Sequence, residues 1–409
     1  MKFLKSFILL SFVFSFFLSF QGCKDSETDD TKVPMLERGD SAARTVLVYM
    51  MAENNLTDNA ASDLYEMRHG VYAMPDSCYL LAFVDNKKTP YICRFYRTKA
   101  GVSACDTVYK FKEDFYSTDT ANFKKVVDKV LQEFPSEHLG LVMWSHGTGW
   151  LYDANRTRSI GVDNGQNNYD VISPGSRWME VDELAAVLEE LPVKCDFVLF
   201  DACFMQCVEV AYAMRHSAEW LVGSPAELPA NGAPYDEIMG AMFSFPFDAN
   251  ELIQQYKLGY PEFSGVTLSA IKCSEVDRLT EVTAALVPKY FSVDADVNDK
   301  KVFAYLPDGY FSSQISYPEY FDMNGQMMLR LPEDAYQAWR AAFDEAVPYR
   351  VASRKWLSGI NRENYYVDMA QFGGMSMYVP RNKNSYSQFN LNFRKTEWYH
   401  AAGWQMAGW

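Results

Sequence analysis

The sequence predicts an α/β fold with a mostly parallel central sheet flanked by helices, plus a smaller C-terminal subdomain. Four nearly continuous apolar runs are typical of strands that are buried on both faces of a sheet. They cover residues 45–51, 78–84, 139–144 and 195–200. Segments with helical character separate these runs, and this alternation is the pattern of βαβ units that build a parallel sheet. The alternation weakens after about residue 295, where the smaller subdomain is expected to begin.

The remaining elements follow from local patterns along the chain. A helix over 57–69 follows the first strand. A second helix over 119–133 is expected to begin at Thr118 or Asp119, because both residue types accept hydrogen bonds at a helix N-cap. The further predicted elements are a hairpin at 91–97 and 104–112, helices at 180–190, about 205–214, 274–289, 331–346 and 396–403, and strands at 220–223, 265–272 and 374–379.

Residues 150–178 are polar and rich in Gly, Asn and Asp, and they show no periodicity. They are therefore predicted to form a long loop without regular structure. Loops of this length are usually functional or mobile.

The bulk composition excludes some classes of protein. The chain has 409 residues, enough for two or three domains of about 150 residues each. Its formal net charge is −15 and no basic patch stands out, so nucleic acid is not an expected partner. An acidic surface keeps a protein soluble and also attracts basic substrates, and composition does not separate these roles. None of the eight cysteines forms a CxxC pair, which argues against a zinc ribbon or a thioredoxin-like motif.

The N-terminus has the features of an export signal over residues 1–22. Lys2 and Lys5 precede an apolar run at 7–20. This run is too short to cross a membrane as a helix and is typical of a signal-peptide core. The small residue before Cys23 resembles a bacterial lipobox, which implies cleavage before Cys23 and acylation of its thiol. A plain secretory signal with an incidental cysteine is the alternative.

Residues 23–43 are charged and poor in apolar residues, so they are predicted to form an acidic flexible tether. Acidic residues directly after a lipidated cysteine resemble the surface-export signals of Bacteroidetes lipoproteins. The expected location is therefore the cell envelope of a Gram-negative bacterium, where the N-terminal lipid would anchor the chain to the outer membrane or the cell surface.

Two of the predicted strands end in residues with reactive side chains. His146 follows the third apolar run, and Cys203 follows the fourth. Functional groups in open α/β sheets gather at the carboxyl ends of strands, so the two side chains are expected at one edge if their strands are neighbours. An imidazole that takes the thiol proton makes the cysteine a nucleophile at neutral pH, and a helix start directly after Cys203 would favour the thiolate further. Either residue alone is more often a packing residue, and the combination is what predicts a nucleophile at Cys203 and a general base at His146.

The residue after the histidine has a predicted role in the same reaction. Gly147 has no Cβ, so its N–H can approach a substrate carbonyl closely. The N–H groups of Gly147 and Cys203 are therefore the predicted donors of an oxyanion hole.

Sequence motifs around these residues resemble a known family. The pair Trp144-Ser145-His146-Gly147 and Phe200-Asp201-Ala202-Cys203-Phe204-Met205 is similar to the clostripain family of cysteine peptidases, which is related to caspases, legumains and gingipains. Residues 46–56 and 398–404 resemble other parts of the same family. The resemblance implies a caspase-like sandwich and a His/Cys dyad. With the weakening of the strand–helix alternation after about residue 295, the caspase-like catalytic domain is expected at 44–295 and the C-terminal subdomain, packed on it, at 296–409.

The resemblance also implies cleavage after Arg or Lys, which depends on acidic residues in the substrate pocket. Asp201 matches one such position, although a buried capping carboxylate is its alternative role. Asn231 stands where basic-specific members carry Asp, and an amide attracts a guanidinium less than a carboxylate does. Glu227 is a candidate to compensate, with a solvated loop residue as the alternative. The sequence therefore leaves the preference for Arg or Lys open.

Some relatives are zymogens that cut themselves between the His and Cys strands. Arg156 and Arg158 are the candidate sites here, with a surface pair of arginines as the alternative. No metal ligand and no cofactor is expected from the residues themselves. Calcium enters only through the resemblance, because the chain shows no EF-hand spacing.

These features together predict a cysteine endopeptidase that acts on proteins or peptides. Two other functions remain open at this point. One is a thiol amidase for small or cell-wall peptides, and the other is a non-catalytic surface binding module with the same fold.

Overall fold

The computed structural model describes ten stretches of the chain. They are residues 34–86, 89–150, 159–165, 168–171, 173–261, 265–295, 298–306, 320–359, 362–381 and 388–409. The predicted signal peptide, Cys23 and the arginines Arg156 and Arg158 lie outside the described residues.

The strands of the described residues include all the apolar runs that the sequence indicates. They are β1 (Ala42–Met51), β2 (Cys78–Asp85), β3 (Tyr91–Arg97), β4 (Ser103–Lys110), β5 (Ser136–Trp144), β6 (Ile160–Asp163), β7 (Arg177–Met179), β8 (Cys195–Asp201), β9 (Ala218–Gly223), β10 (Thr267–Lys272), β11 (Ala304–Leu306), β12 (Tyr320–Asp322), β13 (Tyr349–Ala352), β14 (Lys355–Leu357), β15 (Asn364–Tyr366) and β16 (Ser376–Met377).

The helices lie mostly between the strands of the large sheet. They are α1 (Thr57–Gly70), α2 (Thr120–Glu133), α3 (Val181–Glu189), α4 (Val208–Ala213), α5 (Tyr235–Met242), α6 (Ala249–Leu258), α7 (Val276–Ala284), α8 (Val287–Tyr290), α9 (Met323–Arg330), α10 (Glu333–Ala346), α11 (Gln388–Phe393) and α12 (Glu397–Ala401). Asp119 is the N-cap of α2, and its carboxylate accepts from the N–H groups of Ala121 and Asn122.

The central sheet has nine strands in the order β13-β10-β9-β8-β5-β1-β2-β3-β4. The five in the middle, β9, β8, β5, β1 and β2, are parallel. The outer strands on both sides pair antiparallel with their neighbours. One of them is β10, whose antiparallel direction does not follow from the alternation of strands and helices along the chain. This arrangement confirms the predicted α/β fold with a mostly parallel sheet.

Side chains that alternate along the central strands fill two separate cores. In β1, Leu47 and Tyr49 belong to one core and Val46 and Val48 to the other, because successive residues of a strand point to opposite faces. Helices α2, α3, α4 and α7 contribute to the first core, and α1, α5 and α6 to the second. The result is a sandwich of three layers, with the sheet between two layers of helices.

The prediction of an irregular loop over 150–178 is wrong in part. Strands β6 and β7 form a small hairpin within it. They contain only 4 and 3 residues, which is too short for an alternating pattern to appear. The hairpin is held next to β5 by an isolated bridge between Gly147 and Ile160.

The folded part departs from the predicted domain boundaries in two regions, at the end of the tether and in the C-terminal region. The end of the predicted tether packs on the sheet, where Pro34 pairs with Thr98 and Arg94 donates to the carbonyl oxygen of Leu36. In the C-terminal region, β13 joins the edge of the central sheet beside β10. Among the described residues, no helix combines the length and apolar character needed to cross a membrane.

Candidate active site

The ends of β5 and β8 lie side by side and bring the two predicted catalytic residues to one edge of the sheet. The strands are parallel neighbours, and their last residues, Trp144 and Asp201, are partners in the register. His146 and Cys203 each stand two residues beyond these partners. The condition on which the sequence argument depended, that the two strands are adjacent, is therefore met.

The backbone directly after Cys203 is not helical. The prediction of a helix from about residue 205 is wrong at its start, because α4 begins at Val208. Phe204 instead has a φ of 62°, a conformation that costs free energy for a residue with a side chain. Its N–H donates to the carbonyl oxygen of Ala226 over 2.9 Å. A helix N-terminus at Cys203 therefore does not stabilise its thiolate.

The thiol of Cys203 lies against the backbone of Leu228. The N–H of Leu228 donates to Sγ over 3.3 Å, and Sγ in turn lies 3.7 Å from the carbonyl oxygen of the same residue. Burial raises the pKa of the Cys203 thiol to about 12, with a further increase from the charge of Glu227, while the bond from Leu228 lowers it. In the resting state the sulfur is therefore protonated at neutral pH.

His146 is held by a neighbour on the turn that follows β1. Its Nε2 and the Oδ1 of Asn55 are 2.7 Å apart. An amide oxygen can only accept, so this contact assigns the proton to Nε2 and leaves Nδ1 as the basic nitrogen. Burial lowers the pKa of His146 to about 4, so the imidazole is neutral at neutral pH. A neutral imidazole is the form that can take a proton.

Gly147 packs closely on the backbone of the cysteine segment. A Cβ at this position would lie 2.6 Å from the carbonyl oxygen of Cys203, so no larger residue fits without displacement. Gly147 forms a bridge with Ile160, and hydrogen bonds flank this pair on both sides. The N–H of Thr148 donates to the carbonyl oxygen of Ser159, and the N–H of Gly161 donates to the carbonyl oxygen of His146. Gly147 thus occupies the non-hydrogen-bonded position, and its N–H points away from the hairpin.

Asp201 is buried beneath the turn that contains Gly232. Its carboxylate accepts from the N–H of Ala233 and the hydroxyl of Tyr235, over 3.0 and 2.9 Å, and from the hydroxyl of Tyr256 over 3.2 Å. Burial raises the pKa of Asp201, and these hydrogen bonds oppose that change. Asp201 therefore has both of the features that the sequence left open, a capping role and a place in the cleft described below.

A second buried acid lies beside Asp201. A Cβ at Gly232 would be 2.9 Å from Oδ2 of Asp201 and 3.0 Å from Oδ2 of Asp63, so both carboxyl groups face this glycine. Asp63 accepts from the indole N–H of Trp144 over 2.6 Å. Burial, together with the charge of Asp201, raises the pKa of Asp63 to about 9. Asp63 is therefore a neutral acid at pH 7.

The two loop candidates for substrate binding differ in position. Glu227 is buried, and its Oε1 accepts from the N–H of Gly359 over 2.6 Å, which connects the loop after β9 to the β14–β15 hairpin. Asn231 is exposed, and its side chain does not line the cleft.

A cleft of about 600 Å³ runs over this edge of the sheet and collects most of the predicted site residues. The predicted residues that line it are Cys203, His146, Gly147, Asp201 and Glu227. Among the described residues that line it, none is Lys or Arg, so the cleft combines a thiol and an imidazole with two acidic residues. Their roles in a reaction stay predictions.

A sequence model of the clostripain family matches residues 48–409, which includes both strand ends and the whole cleft. The chain belongs to the clostripain family. The family consists of cysteine peptidases, so the expectation from the motifs is confirmed at this level.

Solved structures of clostripain-family peptidases share the fold over most of this chain. One is a secreted C11 cysteine protease from Bacteroides thetaiotaomicron in complex with an irreversible peptide inhibitor, with 28% identity and a TM-score of 0.76 over 89% of this chain and 99% of that one. Another is an inactive zymogen C11 protease from Parabacteroides distasonis, with 27% identity and a TM-score of 0.75 over the same shares, 89% and 99%.

A curated relative is clostripain from Hathewaya histolytica. It is 26% identical over 47% of this chain, and the matched part spans 41% of the length of that protein. The chain thus corresponds to less than half of this relative.

One contact at this clostripain-family site was not foreseen from the sequence. The motif over 46–56 carries the family resemblance, but nothing in it showed that Asn55 would contact His146. The contact depends on β1 and β5 being neighbours, which the order of elements along the chain does not determine. A polar residue directly after a buried strand is the signal that marks such positions.

Proposed function

We propose that this member of the clostripain family is a cysteine endopeptidase in which Cys203 is the nucleophile and His146 the general base. The observation that carries the proposal is the register between β5 and β8, which sets both residues two positions beyond paired strand ends at one cleft. Protein or peptide chains are the substrates, as expected for this family.

The pKa values favour proton transfer during attack rather than a resting thiolate. Cys203 holds its proton and His146 is neutral, so Nδ1 of the imidazole accepts the thiol proton as Sγ bonds to the peptide carbonyl carbon. The N–H groups of Gly147 and Cys203 stabilise the oxyanion. The imidazolium then protonates the leaving amine, and water hydrolyses the thioester and restores the thiol.

The pocket beside the dyad is proposed to favour a basic side chain before the cleaved bond. Asp201 and Glu227 both line the cleft. We propose that Asp201, which lines the cleft beside the neutral Asp63, is the group that supplies negative charge at its base. Asn231 is exposed and adds no charge, so this preference is expected to be weaker than with an acid at that position.

A panel of fluorogenic peptides tests the activity and the preference together. Internal peptide cleavage after Arg or Lys is expected, and Cys203→Ala is expected to abolish it without loss of the fold. Release of amides from small substrates alone would favour the thiol amidase, and unchanged hydrolysis by Cys203→Ala would exclude the mechanism. A peptidyl chloromethyl ketone is expected to label Cys203, and binding without any turnover would favour a binding module.

Self-processing is a further part of the proposal. Arg156 and Arg158 belong to the connection between the His and Cys strands, which is the place where zymogens of this family are cut. The expected result is that the wild type separates into two fragments while Cys203→Ala stays intact. Replacement of both arginines by Ala should also keep the chain intact, and N-terminal sequencing of the second fragment locates the cut.

We also propose that the mature chain is anchored in the cell envelope through a lipid on Cys23. The motif at residues 1–23 supports this, and the similar protease from Bacteroides thetaiotaomicron is described as secreted. The variant Cys23→Ser is expected to move from the membrane fraction to the soluble fraction and to lose labelling by a clickable palmitate analogue. Equal labelling of the variant would exclude the anchor.

A further inference from the structure

One tyrosine of the C-terminal region lies between the two segments that carry the proposed dyad. Tyr320 is the first residue of β12 and is fully buried. Its hydroxyl donates to the carbonyl oxygen of Thr148 over 2.5 Å, and its ring stacks on the ring of Phe204 with the two centroids 5.8 Å apart. Thr148 stands two residues after His146, and Phe204 directly follows Cys203. A single side chain therefore contacts a neighbour of each proposed catalytic residue.

The segments after β5 and β8 each contain a residue in the left-handed region of the backbone. Phe204 has a φ of 62°, and Gly149 has a φ of 66°. This conformation costs free energy for a residue with a side chain, and it persists only where the surroundings hold it. The carbonyl oxygen of Ala226 holds the N–H of Phe204, and Tyr320 packs on its ring. The ring of Tyr320 therefore helps to keep the backbone after Cys203 in this conformation.

The two segments also meet each other beside this tyrosine. A Cβ at Gly149 would lie 2.9 Å from the carbonyl oxygen of Phe204 and even closer to the hydroxyl of Tyr320. One segment therefore cannot move far without displacing the other. No local pattern in the sequence marks Tyr320, because 172 residues separate it from Thr148.

The strand that carries Tyr320 is itself fixed to both segments. β12 pairs with β16, and Ser376 of β16 donates its N–H to the carbonyl oxygen of Gln206 over 3.0 Å. On the other side, Trp150 packs against the ring of Phe393, with the centroids 5.5 Å apart. The C-terminal region thus contacts both segments at further points, and these contacts hold β12 in place against them.

We propose that Tyr320 is a positioning residue for the dyad, which fixes the segment after β5 through its hydroxyl and the segment after β8 through its ring. This role rests on the proposed function, because Tyr320 touches no reacting atom and acts through His146 and Cys203. Proton transfer and attack require the imidazole and the thiol to keep a set geometry, since a small displacement of reacting groups reduces the rate strongly. Contacts with Thr148 and Phe204 set this geometry from one side chain.

Two variants of the full chain separate the two contacts. Tyr320→Phe removes the hydrogen bond to Thr148 and keeps the ring on Phe204. Tyr320→Leu removes the ring as well. Because the first variant deletes one oxygen atom and keeps the packing, it should fold even if the second does not.

Tyr49→Phe is the matched control. Tyr49 is also fully buried, its hydroxyl donates to the carbonyl oxygen of Ser117 over 2.8 Å, and its ring stacks on Phe83. Both of these partners lie outside the segments after β5 and β8. The control therefore loses the same kind of hydrogen bond at a place where no effect on the dyad is expected.

Kinetics with a fluorogenic peptide, measured well below the melting temperatures, test the effect on catalysis. Tyr320→Phe is expected to lower kcat about tenfold and to leave KM within about twofold of the wild type, because the general base is displaced while the cleft is unchanged. Its melting temperature should fall no more than that of Tyr49→Phe, since each variant loses one buried hydrogen bond. Alkylation of Cys203 by iodoacetamide at about pH 10.5 should keep its rate, because a thiolate reacts without help from the imidazole.

Hydrogen exchange measures the same contacts without any turnover. The amides of Thr148 and Phe204 are both hydrogen-bonded to backbone carbonyl oxygens. Peptides that contain Thr148 are expected to exchange at least about threefold faster in Tyr320→Phe than in the wild type, because that segment opens more readily. In Tyr320→Leu the peptides that contain Phe204 should exchange faster as well. Tyr49→Phe should leave both at the wild-type rate.

Three results would overturn the role of Tyr320. They are a kcat of Tyr320→Phe equal to that of Tyr49→Phe, a loss of activity that only follows the loss of folded protein, and wild-type exchange of the peptides that contain Thr148. A wild type that hydrolyses no peptide overturns the proposed function instead, and the exchange rates then decide whether Tyr320 fixes the two segments.

Discussion

The backbone N–H of Leu228 donates a hydrogen bond to Sγ of Cys203 over 3.3 Å, and the residue before it, Glu227, raises the pKa of the same thiol. The loop after β9 therefore acts on the sulfur in two opposite ways. The bond from Leu228 favours the thiolate, while the negative charge of Glu227 disfavours it. The charge can be removed without loss of the loop contact, because a glutamine oxygen can still accept from Gly359.

The first prediction concerns this charge. Glu227→Gln is expected to lower the pKa of the Cys203 thiol by about 1 pH unit, since a nearby like charge no longer opposes ionisation. The rate of alkylation by iodoacetamide, measured from pH 6 to pH 11, reports the thiol pKa. Cys203→Ala measured in parallel gives the contribution of the other cysteines. Identical pH profiles for the wild type and Glu227→Gln would contradict the electrostatic role of Glu227.

The second prediction concerns the contact between Asn55 and His146. Asn55→Ala is expected to lower kcat by about tenfold with little change in KM, because the imidazole loses the group that sets its orientation and tautomer. Asn55→Asp places a carboxylate beside the imidazole and should raise the pKa of His146 from about 4. The acid limb of kcat/KM is then expected to move to higher pH.

The pH profile distinguishes positioning from a merely structural role. A structural role would lower the activity of Asn55→Asp at all pH values without moving the acid limb. Superimposable profiles for the wild type and Asn55→Asp would therefore exclude Asn55 as a positioning residue for His146.

The third prediction concerns the neutral acid under the cleft. Asp63 has a pKa of about 9 in the folded protein and an ordinary one in the unfolded chain, so folding takes up a proton between these values. Because the pKa of Asp63 is raised in the folded protein, its contribution to the free energy of unfolding is fully present at low pH and is lost as the pH rises toward 9. The free energy of unfolding of the wild type, measured relative to that of Asp63→Asn, should therefore fall by about 1.4 kcal/mol per pH unit between about pH 5 and pH 8.

Urea unfolding of the two proteins across this pH range measures the difference. Asn has the same shape and its oxygen can still accept from Trp144, so the variant should fold. Replacement of the exposed Asp128 by Asn is the control, and the free energy of unfolding of this variant should change with pH in parallel with that of the wild type. If the free energy of unfolding of Asp63→Asn also changes in parallel with that of the wild type, Asp63 is not a proton-binding group in the folded protein.

The parts of the fold that the sequence predicts well are those determined by local patterns. The central strands are long apolar runs, and the ends of two of them identify His146 and Cys203 as a candidate pair. The hairpin of β6 and β7 has strands too short to show a pattern. The start of α4 is delayed because Phe204 and Gln206 use their N–H groups for tertiary bonds, to Ala226 and Ser224, which no local preference reveals.

The parts of the site that the sequence does not predict depend on the order of strands in the sheet. Asn55 meets His146 because β1 and β5 are neighbours in the sheet, which the order of elements along the chain does not determine. Single residues of these types are common after strands. Only the register shows which of them share a site.

The last prediction concerns a buried ion pair between the central strands β1 and β8. The guanidinium of Arg44, which is 1% exposed, donates from Nη2 and Nε to Oδ2 of Asp196 over 2.7 and 3.0 Å. Its Nη1 donates to the carbonyl oxygens of Met242 and Ser244, so the arginine also holds the segment after α5. Removal of one partner leaves the other charge buried without compensation, which is more costly than the loss of the pair itself.

Asp196→Ala is therefore expected to lower the free energy of unfolding by about 3–5 kcal/mol. The double variant Arg44→Met/Asp196→Leu should recover most of this loss, because apolar groups of similar volume can replace a buried pair. The exposed pair of Arg278 and Glu345 is the control, and Arg278→Ala should cost no more than about 1 kcal/mol. Urea unfolding at pH 7 measures all four proteins. A cost for Asp196→Ala as small as that of Arg278→Ala would show that water reaches Arg44 and that the pair does not fasten the sheet to the segment after α5.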